Sequence, residues 1–452
     1  MTLKVIGGGL AGCEAAWQAA ERGIDVELYE MRPVKSTGAH RTADLGELVC
    51  SNSLGSNLLG RAAGLLKAEL RLLGSMLIAC ADASSIPAGG ALAVDRQAFS
   101  DCIQDKVEGH PKIKLIRQEV TDIPVTPAIL ATGPLTSLKF SKALKELTGE
   151  DQLYFYDAIA PIVHRESIDM SIAFRANRYT RQEEYEGDYL NCPFTKEQYL
   201  HFREALLAAE RIELRGFETA IEEGVDAGKE QYFQGCQPVE VIGSRGEQSL
   251  AFGPMRPVGL FDPTTGRRPY AVVQLRQDNL AGDLYNLVGF QTNLTFPEQR
   301  RVFRMIPGLE NATFERYGQM HRNTFIAAPL LLNDQYEFKN QPGLFTAGQL
   351  AGVEGYAGNI ASGLVTGINA ARAIRGEAPL ALPLTTMTGA LLHYVVHADL
   401  QDFQPTKAMF GLVPKPSDGQ LRSKRDRYVY YSERALADLR AYLETQGEAF
   451  LR

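Results

Sequence analysis

The first thirty residues constrain the fold most, because a glycine motif lies there between a predicted strand and a predicted helix. Leu3–Ile6 is a short apolar run, residues 7–12 read Gly-Gly-Gly-Leu-Ala-Gly, and Glu14–Ala20 reads as a helix. A second alternating run, Ile24–Glu30, ends in an acid 18 positions after Gly12. This is the GxGxxG pattern of a dinucleotide-binding strand–helix–strand unit in the context that it requires.

Each glycine of the motif has its own expected role. Gly7 permits a tight turn, Gly9 lets the backbone approach a pyrophosphate, and Gly12 lets the helix pack closely on the strand. The unpaired amides that open the helix favour phosphate groups. An acid at Glu30 is expected to bind a ribose hydroxyl, which favours FAD or NAD over NADP. The expected phosphate-binding segment is Gly7, Gly8, Gly9, Leu10, Ala11 and Gly12.

Two later segments favour FAD over NAD. Pro127–Gly133 reads as an apolar strand that ends in Ala-Thr-Gly, where flavoproteins of the two-dinucleotide type return to the sheet. Gly343–Gln349 reads as another strand, followed by a loop at Gly352–Gly358 and a helix through residues 363–372. Such flavoproteins direct the amides of this helix at the flavin ring. Three residues of these segments are expected to bind the cofactor: Gly133, Gly348 and Tyr356.

The predicted fold class is α/β, a Rossmann-like FAD-binding domain of the two-dinucleotide flavoprotein type with an inserted α+β domain and a helical C-terminal region. We assign residues 1–150 and 322–452 to the FAD-binding domain and residues 151–321 to the inserted substrate domain. The insertion carries a predicted helix at Lys196–Ala209, after an Asn191–Pro193 turn signal. Its strand-like runs are Leu153–Tyr156, Ile172–Phe174, Tyr270–Leu275 and Leu287–Phe290. The predicted C-terminal helices are Leu384–His397 and Glu433–Thr445.

The composition is that of an ordinary globular protein, with 45% hydrophobic and 22% charged residues among 452. The net charge of −7 counts against a purely electrostatic nucleic-acid binder, so RNA contact would depend on local basic patches. No run of 18 apolar residues occurs, and the chain enters its first strand at once. We therefore expect no membrane span, no signal peptide and a cytoplasmic location. Six dispersed cysteines without a CxxC pair indicate free thiols.

Two cysteines lie in segments typical of reactive thiols. Cys50 lies in a polar loop at residues 46–57 before a predicted helix, and Cys236 lies between a glycine and a nearby proline. A thiol near a helix start can be activated as a thiolate. Both are candidate catalytic residues, although a buried, inert thiol is the alternative for each. Cys13, Cys80 and Cys102 are expected to pack inside the protein, and the sequence leaves Cys192 open.

Three further groups of residues have a functional and a plain structural interpretation. His393 and His397 lie four apart on a predicted helix, but position 394 is Tyr and no third ligand is evident, so no metal site is expected. The run His321–Thr324 predicts a ligand-facing loop or a solvated turn. Basic residues suit RNA contact or a solvated surface, and they are Arg300, Arg301, Arg304, Lys415, Arg422, Lys424, Arg425 and Arg427.

Nine phrases are too long to be generic motifs. They are Tyr29–Pro33, Glu47–Leu54, Pro87–Arg96, Ala131–Ser137, Phe155–Pro161, Asp188–Pro193, Gln234–Cys236, Gly289–Thr292 and His321–Thr324. Together they resemble the folate- and FAD-dependent tRNA (uracil-5-)-methyltransferases, which form ribothymidine in the T-loop of bacterial tRNA. The resemblance extends over about residues 3–412.

The resemblance implies a chemistry that uses both the flavin and the two cysteines. A thiolate adds to carbon 6 of the uracil, carbon 5 then attacks a one-carbon unit, and a base removes the carbon-5 proton. The family implies Cys236 as the nucleophile and Cys50 as the residue that handles the proton, and the two roles could be exchanged. The one-carbon unit comes from methylenetetrahydrofolate through reduced FAD, and NAD(P)H reduces the flavin again.

The implied macromolecular substrate is tRNA, with no obligatory protein partner, and the target uracil must be flipped out or its loop remodelled. Substrate or pterin contacts are expected from Tyr356 and from His321, Arg322 and Asn323. One phrase departs from the family, which usually has Gly-Tyr-Val-Glu-Ser where this chain has Gly355-Tyr356-Ala357-Gly358-Asn359. The departure removes a carboxylate near the pterin or flavin.

Three alternatives remain at this stage. A related flavoprotein modifies the wobble uridine of tRNA together with a GTPase, but it is longer and has an extended helical C-terminal region. An NAD(P)H-dependent flavin oxidoreductase would need no RNA. An RNA-binding protein could hold FAD only as a structural group, which would leave Cys50 and Cys236 without a role.

Overall fold

The structure is a computed structural model that describes residues 1–149, 153–158, 160–178, 187–212, 237–400, 403–415 and 423–446. Its strands are β1 (Thr2–Ile6), β2 (Asp25–Glu30), β3 (Ser53–Ser56), β4 (Ser85–Ile86), β5 (Ala91–Val94), β6 (Ile113–Arg117), β7 (Ala128–Leu130), β8 (Leu153–Ala158), β9 (Ile162–His164), β10 (Phe174–Ala176), β11 (Tyr189–Phe194), β12 (Ala271–Gln277), β13 (Leu284–Leu287), β14 (Phe314–Arg316), β15 (Met320–Phe325) and β16 (Leu344–Thr346).

The α-helices in the described ranges are α1 (Leu10–Glu21), α2 (Ala62–Leu72), α3 (Met76–Ala83), α4 (Arg96–Gly109), α5 (Leu138–Thr148), α6 (Lys196–Ala208), α7 (Val239–Ser244), α8 (Ser249–Phe252), α9 (Phe296–Phe303), α10 (Ala328–Leu331), α11 (Tyr356–Arg375), α12 (Met387–His397) and α13 (Lys424–Gln446). Short 3-10 turns occur at Arg165–Ser167 and Gly348–Ala351. No helix in these ranges is both long and apolar enough to span a membrane.

A parallel five-stranded sheet has the order β16-β7-β1-β2-β6. The chain therefore runs outward in one direction from β1 and later returns to its other side through β7 and β16. Ligands in such sheets bind outside the carboxyl ends of the strands where the order reverses, which here is between β1 and β7. The predicted α/β class, with a Rossmann-like core and a helical C-terminal region, is confirmed.

A second, antiparallel sheet has the order β10-β11-β12-β13-β9-β14, and all its strands lie between β7 and β16 in the chain. It packs with α6 and α9 around an apolar core of its own, which includes Phe194, Phe202, Phe290 and Phe303. Helix α6 begins at the predicted position because Thr195 and Gln198 form a reciprocal capping box. A two-stranded sheet, β15-β8, and a three-stranded sheet, β3-β5-β4, complete the fold.

Close helix packing and buried acids hold the first core together. A Cβ atom at Gly363 of α11 would lie 2.3 Å from the carbonyl oxygen of Ala11 in α1, so only glycine lets these helices approach. Glu14 accepts hydrogen bonds from the Leu77 and Met76 amides and so caps α3. Glu69 caps α12 in the same way. Burial raises the pKa of Glu69 to about 7, although hydrogen bonds from α12 oppose that shift.

The structure corrects several sequence-based expectations. Asn191–Pro193 is not a turn but lies inside β11, and His321–Thr324 is not a loop but lies inside β15. Helix α11 begins at Tyr356, within the predicted loop, and α13 is longer than the predicted final helix. The free-thiol expectation is wrong for Cys80 and Cys102, which form a disulfide between α3 and α4, with Cα atoms 5.7 Å apart.

Candidate active site

A cleft lies at the carboxyl ends of β1 and β7, where the glycine motif turns into α1. Gly7 has a φ of +112°, and a Cβ there would lie 2.3 Å from the Ala131 carbonyl oxygen. A Cβ at Gly12 would lie 1.8 Å from the Gly7 carbonyl oxygen, whereas a Cβ at Gly9 would meet no atom within 4 Å. The motif thus combines two tight backbone contacts with one open position that faces the cleft, as its spacing predicts.

Glu30 closes the wall of this cleft at the end of β2. Its carboxylate accepts hydrogen bonds from the Gly8 amide at 2.9 Å and from the Arg32 side chain at 2.8 Å. Burial alone would raise the pKa of Glu30, but hydrogen bonds and positive charge from Arg32 outweigh burial and hold the pKa below its usual value. Arg32 also contacts Glu47 at 2.9 Å, which ties β2 to the segment that leads to Cys50.

The N-terminus of α11 faces the same cleft from the other side. Gly348, Tyr356 and Asn359 line the cleft together with Gly133. Neither α1 nor α11 has a side-chain N-cap or an acid in its first turn, so both helix N-termini keep amides for an anionic ligand. Among the described residues, the buried Asn359 Oδ1 finds no hydrogen-bond partner. The cleft therefore presents two helix N-termini and an unsatisfied acceptor.

A second cavity adjoins the first, and the two share several lining residues. The shared lining residues are Val49, Pro134, Leu135, Gln349, Tyr356 and Asn359. Cys50, Ser51 and Asn323 line the second cavity only. The candidate thiol therefore lies next to the expected flavin cleft, separated from it by the Tyr356 side of α11.

Side chains from distant segments fix the Cys50 backbone. The Cys50 amide donates to the Tyr356 hydroxyl at 2.8 Å, and the Cys50 carbonyl accepts from Arg96 at 2.8 Å. Arg96 also donates to the Leu48 carbonyl and pairs with Asp278 at 3.0 Å. Arg96 opens α4, and Asp278 follows β12, so this ion pair joins the Rossmann-like core to the second sheet.

Positive charge surrounds the half-buried Cys50. Three guanidinium groups interact electrostatically with it: Arg96, Arg276 and Arg316. Burial lowers the pKa of Arg316 to about 10, and its arginine neighbours add to that shift. Arg276 is buried and donates to Asn52 at 3.0 Å, two residues from the thiol.

Sequence reasoning missed Arg96, Asp278 and Arg276 as site residues. Asp95-Arg96 at a helix start was a usable signal, because Asp95 caps α4 and thereby sets the position of the arginine. Nothing in the sequence pairs Arg96 with Asp278, which lies 182 residues further along the chain. Such a pair becomes evident only when the two sheets are packed together.

The remaining candidate residues lie in separate parts of the protein, and some of them are outside the part that the structure describes. Asn323 is buried and lines the second cavity, while His321 and Arg322 precede it in β15, with their side chains outside the described part. Cys236 lies outside the described residues. Asp334 lies beside both His393 and His397 and is a potential third ligand that the sequence did not suggest. Of the first basic group, Arg301 pairs with Glu298, Arg304 donates to a carbonyl, and Arg300 contacts Tyr317.

Comparison with known proteins decides the family. Residues 2–378 match the family described as glucose inhibited division protein A. The methylenetetrahydrofolate--tRNA-(uracil-5-)-methyltransferase TrmFO of Heliobacterium modesticaldum is 53% identical over 444 residues, which are 98% of each chain. The Bacillus subtilis protein of the same name is 52% identical over 98% of this chain and 99% of its own. The chain belongs to the folate- and FAD-dependent tRNA methyltransferase family. The resemblance stated from the sequence is confirmed.

Two solved structures of a more distant protein share the fold. GidA from Aquifex aeolicus superposes with TM-scores of 0.69 and 0.68 in two crystal forms, at 18% and 16% sequence identity. The alignments cover all of this chain and 76% and 74% of the GidA chains. At this level of identity the comparison establishes the common architecture alone.

Proposed function

We propose that this protein methylates carbon 5 of a uracil in the tRNA T-loop, with methylenetetrahydrofolate as one-carbon donor and FAD and NAD(P)H as redox partners. The observation that carries the proposal is that Cys50 lines a cavity adjoining a cleft shaped for a dinucleotide. Relatives named for this activity are 52–54% identical to the chain over nearly its whole length. A flavin oxidoreductase without an RNA substrate would not explain a thiol among three arginines.

The first cleft fits FAD in three respects. Gly9 leaves space beside the amides that open α1, which suits a pyrophosphate. The Glu30 carboxylate retains acceptor capacity for a ribose hydroxyl, and Asn359 Oδ1 offers an unpaired acceptor beside α11. When bound, FAD would supply the electrons that convert a methylene group into a methyl group. We assign its binding to Gly7, Gly8, Gly9, Leu10, Ala11, Gly12, Glu30, Gly133, Gly348 and Tyr356.

We assign catalysis to Cys50 and Cys236. Uracil carbon 5 is a weak nucleophile until a thiolate adds to carbon 6, and we assign that addition to Cys236. We assign acceptance of the carbon-5 proton to the Cys50 thiolate, which becomes a thiol. The carbon–sulfur bond to carbon 6 then breaks, and the Cys236 thiolate is regenerated. The exchanged assignment of the two thiols is the alternative that the experiment below distinguishes.

The second cavity is our candidate site for the pterin and the flipped uracil. Tyr356 offers an aromatic ring on its wall, and Asn323 offers a buried amide. His321 and Arg322 belong to the same strand and are assigned to substrate binding with Asn323. A flat heteroaromatic substrate is recognised by such a combination of stacking and hydrogen bonding.

For tRNA contact we propose α13 and the second sheet. Arg425, Arg427 and Tyr430 are exposed on α13, and the Arg434 guanidinium lies 5.5 Å from the Tyr430 ring. Guanidinium groups next to aromatic rings suit phosphate contact and base stacking.

We further propose a division of the chain into two domains. Residues 1–150 and 322–452 form the FAD-binding domain, and residues 151–321 form an inserted substrate domain. We also propose a cytoplasmic location and action without an obligatory protein partner.

The deciding experiment incubates the purified flavoprotein with undermethylated tRNA, methylenetetrahydrofolate and NADH, and measures ribothymidine. Cys236→Ala and Cys50→Ala should each abolish the product while NADH oxidation continues. Ser51→Ala, which lines the same cavity beside Cys50, is the matched control and should retain most of the activity. Product formation with S-adenosylmethionine as the sole donor would show the proposal to be wrong.

A tRNA that carries 5-fluorouracil separates the two thiol roles. Fluorine at carbon 5 cannot leave as a proton, so the adduct at carbon 6 should accumulate as a covalent protein–RNA complex. Cys50→Ala should still form this complex, whereas Cys236→Ala should not. The opposite pattern would exchange the two assignments.

A further inference from the structure

The exposed face of α12 carries two histidines one helical turn apart, and the fold brings a carboxylate to them. The rings of His393 and His397 have centroids 4.0 Å apart. Asp334 Oδ1 lies 2.6 Å from His397 Nε2 and 3.7 Å from His393 Nδ1. Among the residues that the structure describes, no other trio of His, Cys, Asp or Glu places its potential ligand atoms within 4.8 Å of one another.

We propose that Asp334, His393 and His397 form a surface binding site for a divalent transition metal ion, with Zn²⁺ as the best match. Two imidazole nitrogens and a carboxylate oxygen are ligands that zinc prefers. Tetrahedral zinc with ligand distances near 2.1 Å needs ligand atoms roughly 3.4 Å apart. The observed separations of 2.6 and 3.7 Å lie on either side of that value. All three potential ligand atoms lie within 4.8 Å of one another, so side-chain rotations would complete the site.

The turn that carries Asp334 is bonded to the helix that carries the histidines. Asn333 Oδ1 accepts hydrogen bonds from the Gln335 and Glu337 amides, which closes the turn. The buried Tyr336 donates its hydroxyl hydrogen bond to the Leu392 carbonyl of α12 at 3.1 Å. Tyr336 has a φ of 64°, a conformation that a bulky residue keeps only when packing holds it. The third ligand is thus held in place before any metal arrives.

The site is accessible and separate from the candidate active site. Exposed fractions of the three side chains lie between 43% and 58%, so an ion can enter and water can fill the remaining coordination position. None of the three residues lines either cavity. A bound ion would link α12 to the turn at residues 333–337 and would resist separation of the two. Its expected effect is therefore on stability rather than on methyl transfer.

Zinc binding to the flavin-loaded protein tests the proposal. Accessible thiols are first alkylated, because cysteines would bind zinc themselves, and equilibrium dialysis with metal analysis then gives stoichiometry and Kd. We expect one ion per chain, and His393→Ala or His397→Ala should each weaken binding roughly tenfold or more, because the second imidazole acts intramolecularly. His201→Ala removes an exposed histidine of α6 and is the matched control, which should bind zinc like the parent protein.

Thermal unfolding supplies an independent readout. Zinc should raise the Tm of the parent protein and of His201→Ala, and it should leave the Tm of the His393→Ala/His397→Ala variant unchanged. Asp334→Asn should bind more weakly than the parent, because it retains the shape but loses the charge. Unchanged zinc stoichiometry and affinity in the double histidine variant would overturn the proposal, as would a parent protein that takes up no zinc after alkylation.

Discussion

The two adjoining cavities are built in different ways. The first is shaped by backbone, since Gly7 and Gly12 lie where neighbouring backbone atoms leave no room for a side chain. The second is shaped by side chains, since an ion pair between Arg96 and Asp278 and a tyrosine hydroxyl hold the Cys50 segment. A site made by backbone tolerates no added atom at its tight contacts. Where paired side chains shape a site, replacing both partners together should largely preserve the free energy of unfolding.

The largest effect is expected at Gly12, where backbone contact is tightest. A side chain at Gly12 would collide with the Gly7 carbonyl, 1.8 Å from an added Cβ. Gly12→Val should lower the free energy of unfolding by about 3 kcal/mol or more and abolish flavin binding. Denaturant unfolding and the visible flavin spectrum measure both quantities. A variant that unfolds like the parent would contradict the backbone account.

Gly9→Thr is the matched control in the same motif. A Cβ at Gly9 would meet no protein atom, and threonine is accepted at a helix N-cap, so the flavin-free protein should unfold like the parent. The side chain would enter the cleft and weaken FAD binding by roughly a hundredfold, or about 2.7 kcal/mol. If Gly9→Thr bound FAD normally, the open position would not be where the pyrophosphate lies.

The second prediction concerns the side-chain cavity. Arg96→Met leaves the Asp278 carboxylate, which is 4% exposed, without its guanidinium, and should cost about 3 kcal/mol of stability. Methyl transfer should fall by roughly a hundredfold, because the Cys50 and Leu48 carbonyls lose their donor. Denaturant unfolding curves measure the loss of stability, and the rate of ribothymidine formation measures the loss of methyl transfer.

A paired replacement separates stability from positioning. Arg96→Met/Asp278→Asn removes both charges and should regain most of the lost stability, whereas methyl transfer should stay low. Recovery of activity in the double variant would show that Arg96 acts only through the ion pair and does not position the Cys50 segment.

The difference between a cavity shaped by backbone and one shaped by side chains also explains what the sequence could predict. The tight turn at Gly7 and the close packing at Gly12 agree with the sequence-based expectation, because both depend on local backbone geometry, which spacing encodes. The role of Gly9 beside a pyrophosphate stays a prediction. The location of Cys50 beside the flavin cleft follows from the family resemblance rather than from any local rule. The contact of Arg96 with Asp278 joins two sheets across 182 residues, and no periodicity reports such a pair.

One error and one omission have specific physical causes. Asn191–Pro193 was interpreted as a turn, but β10 pairs with β11 only as far as Asn191, so Pro193 needs no amide on that side and fits the strand. The third partner of His393 and His397 was missed because Asp334 reaches them through the packing of a remote turn on α12. In both cases tertiary context overrides a local signal.

The third prediction tests a side chain in the wall of the first cleft. Burial, together with the positive charge of Arg32, lowers the pKa of His40 to about 4. Between pH 6.5 and pH 4 the unfolded chain therefore binds more protons at His40, and stability should fall as the pH falls through this window. The loss should be about 3 kcal/mol. His40→Gln should flatten this part of the pH profile of unfolding, and an unchanged profile would exclude His40 as its source.

The smallest effect is expected at the boundary between the two cavities. Tyr356→Phe removes the oxygen that accepts the Cys50 amide at 2.8 Å, which should cost about 1 kcal/mol. If this hydrogen bond positions the thiol, methyl transfer should fall roughly fivefold while FAD binding stays normal. Tyr29→Phe is the matched control, because Tyr29 lines the first cleft but not the second cavity, and its hydroxyl donates to Glu27 rather than to the Cys50 segment. Equal behaviour of the two variants would mean that the Cys50 segment is held without the tyrosine.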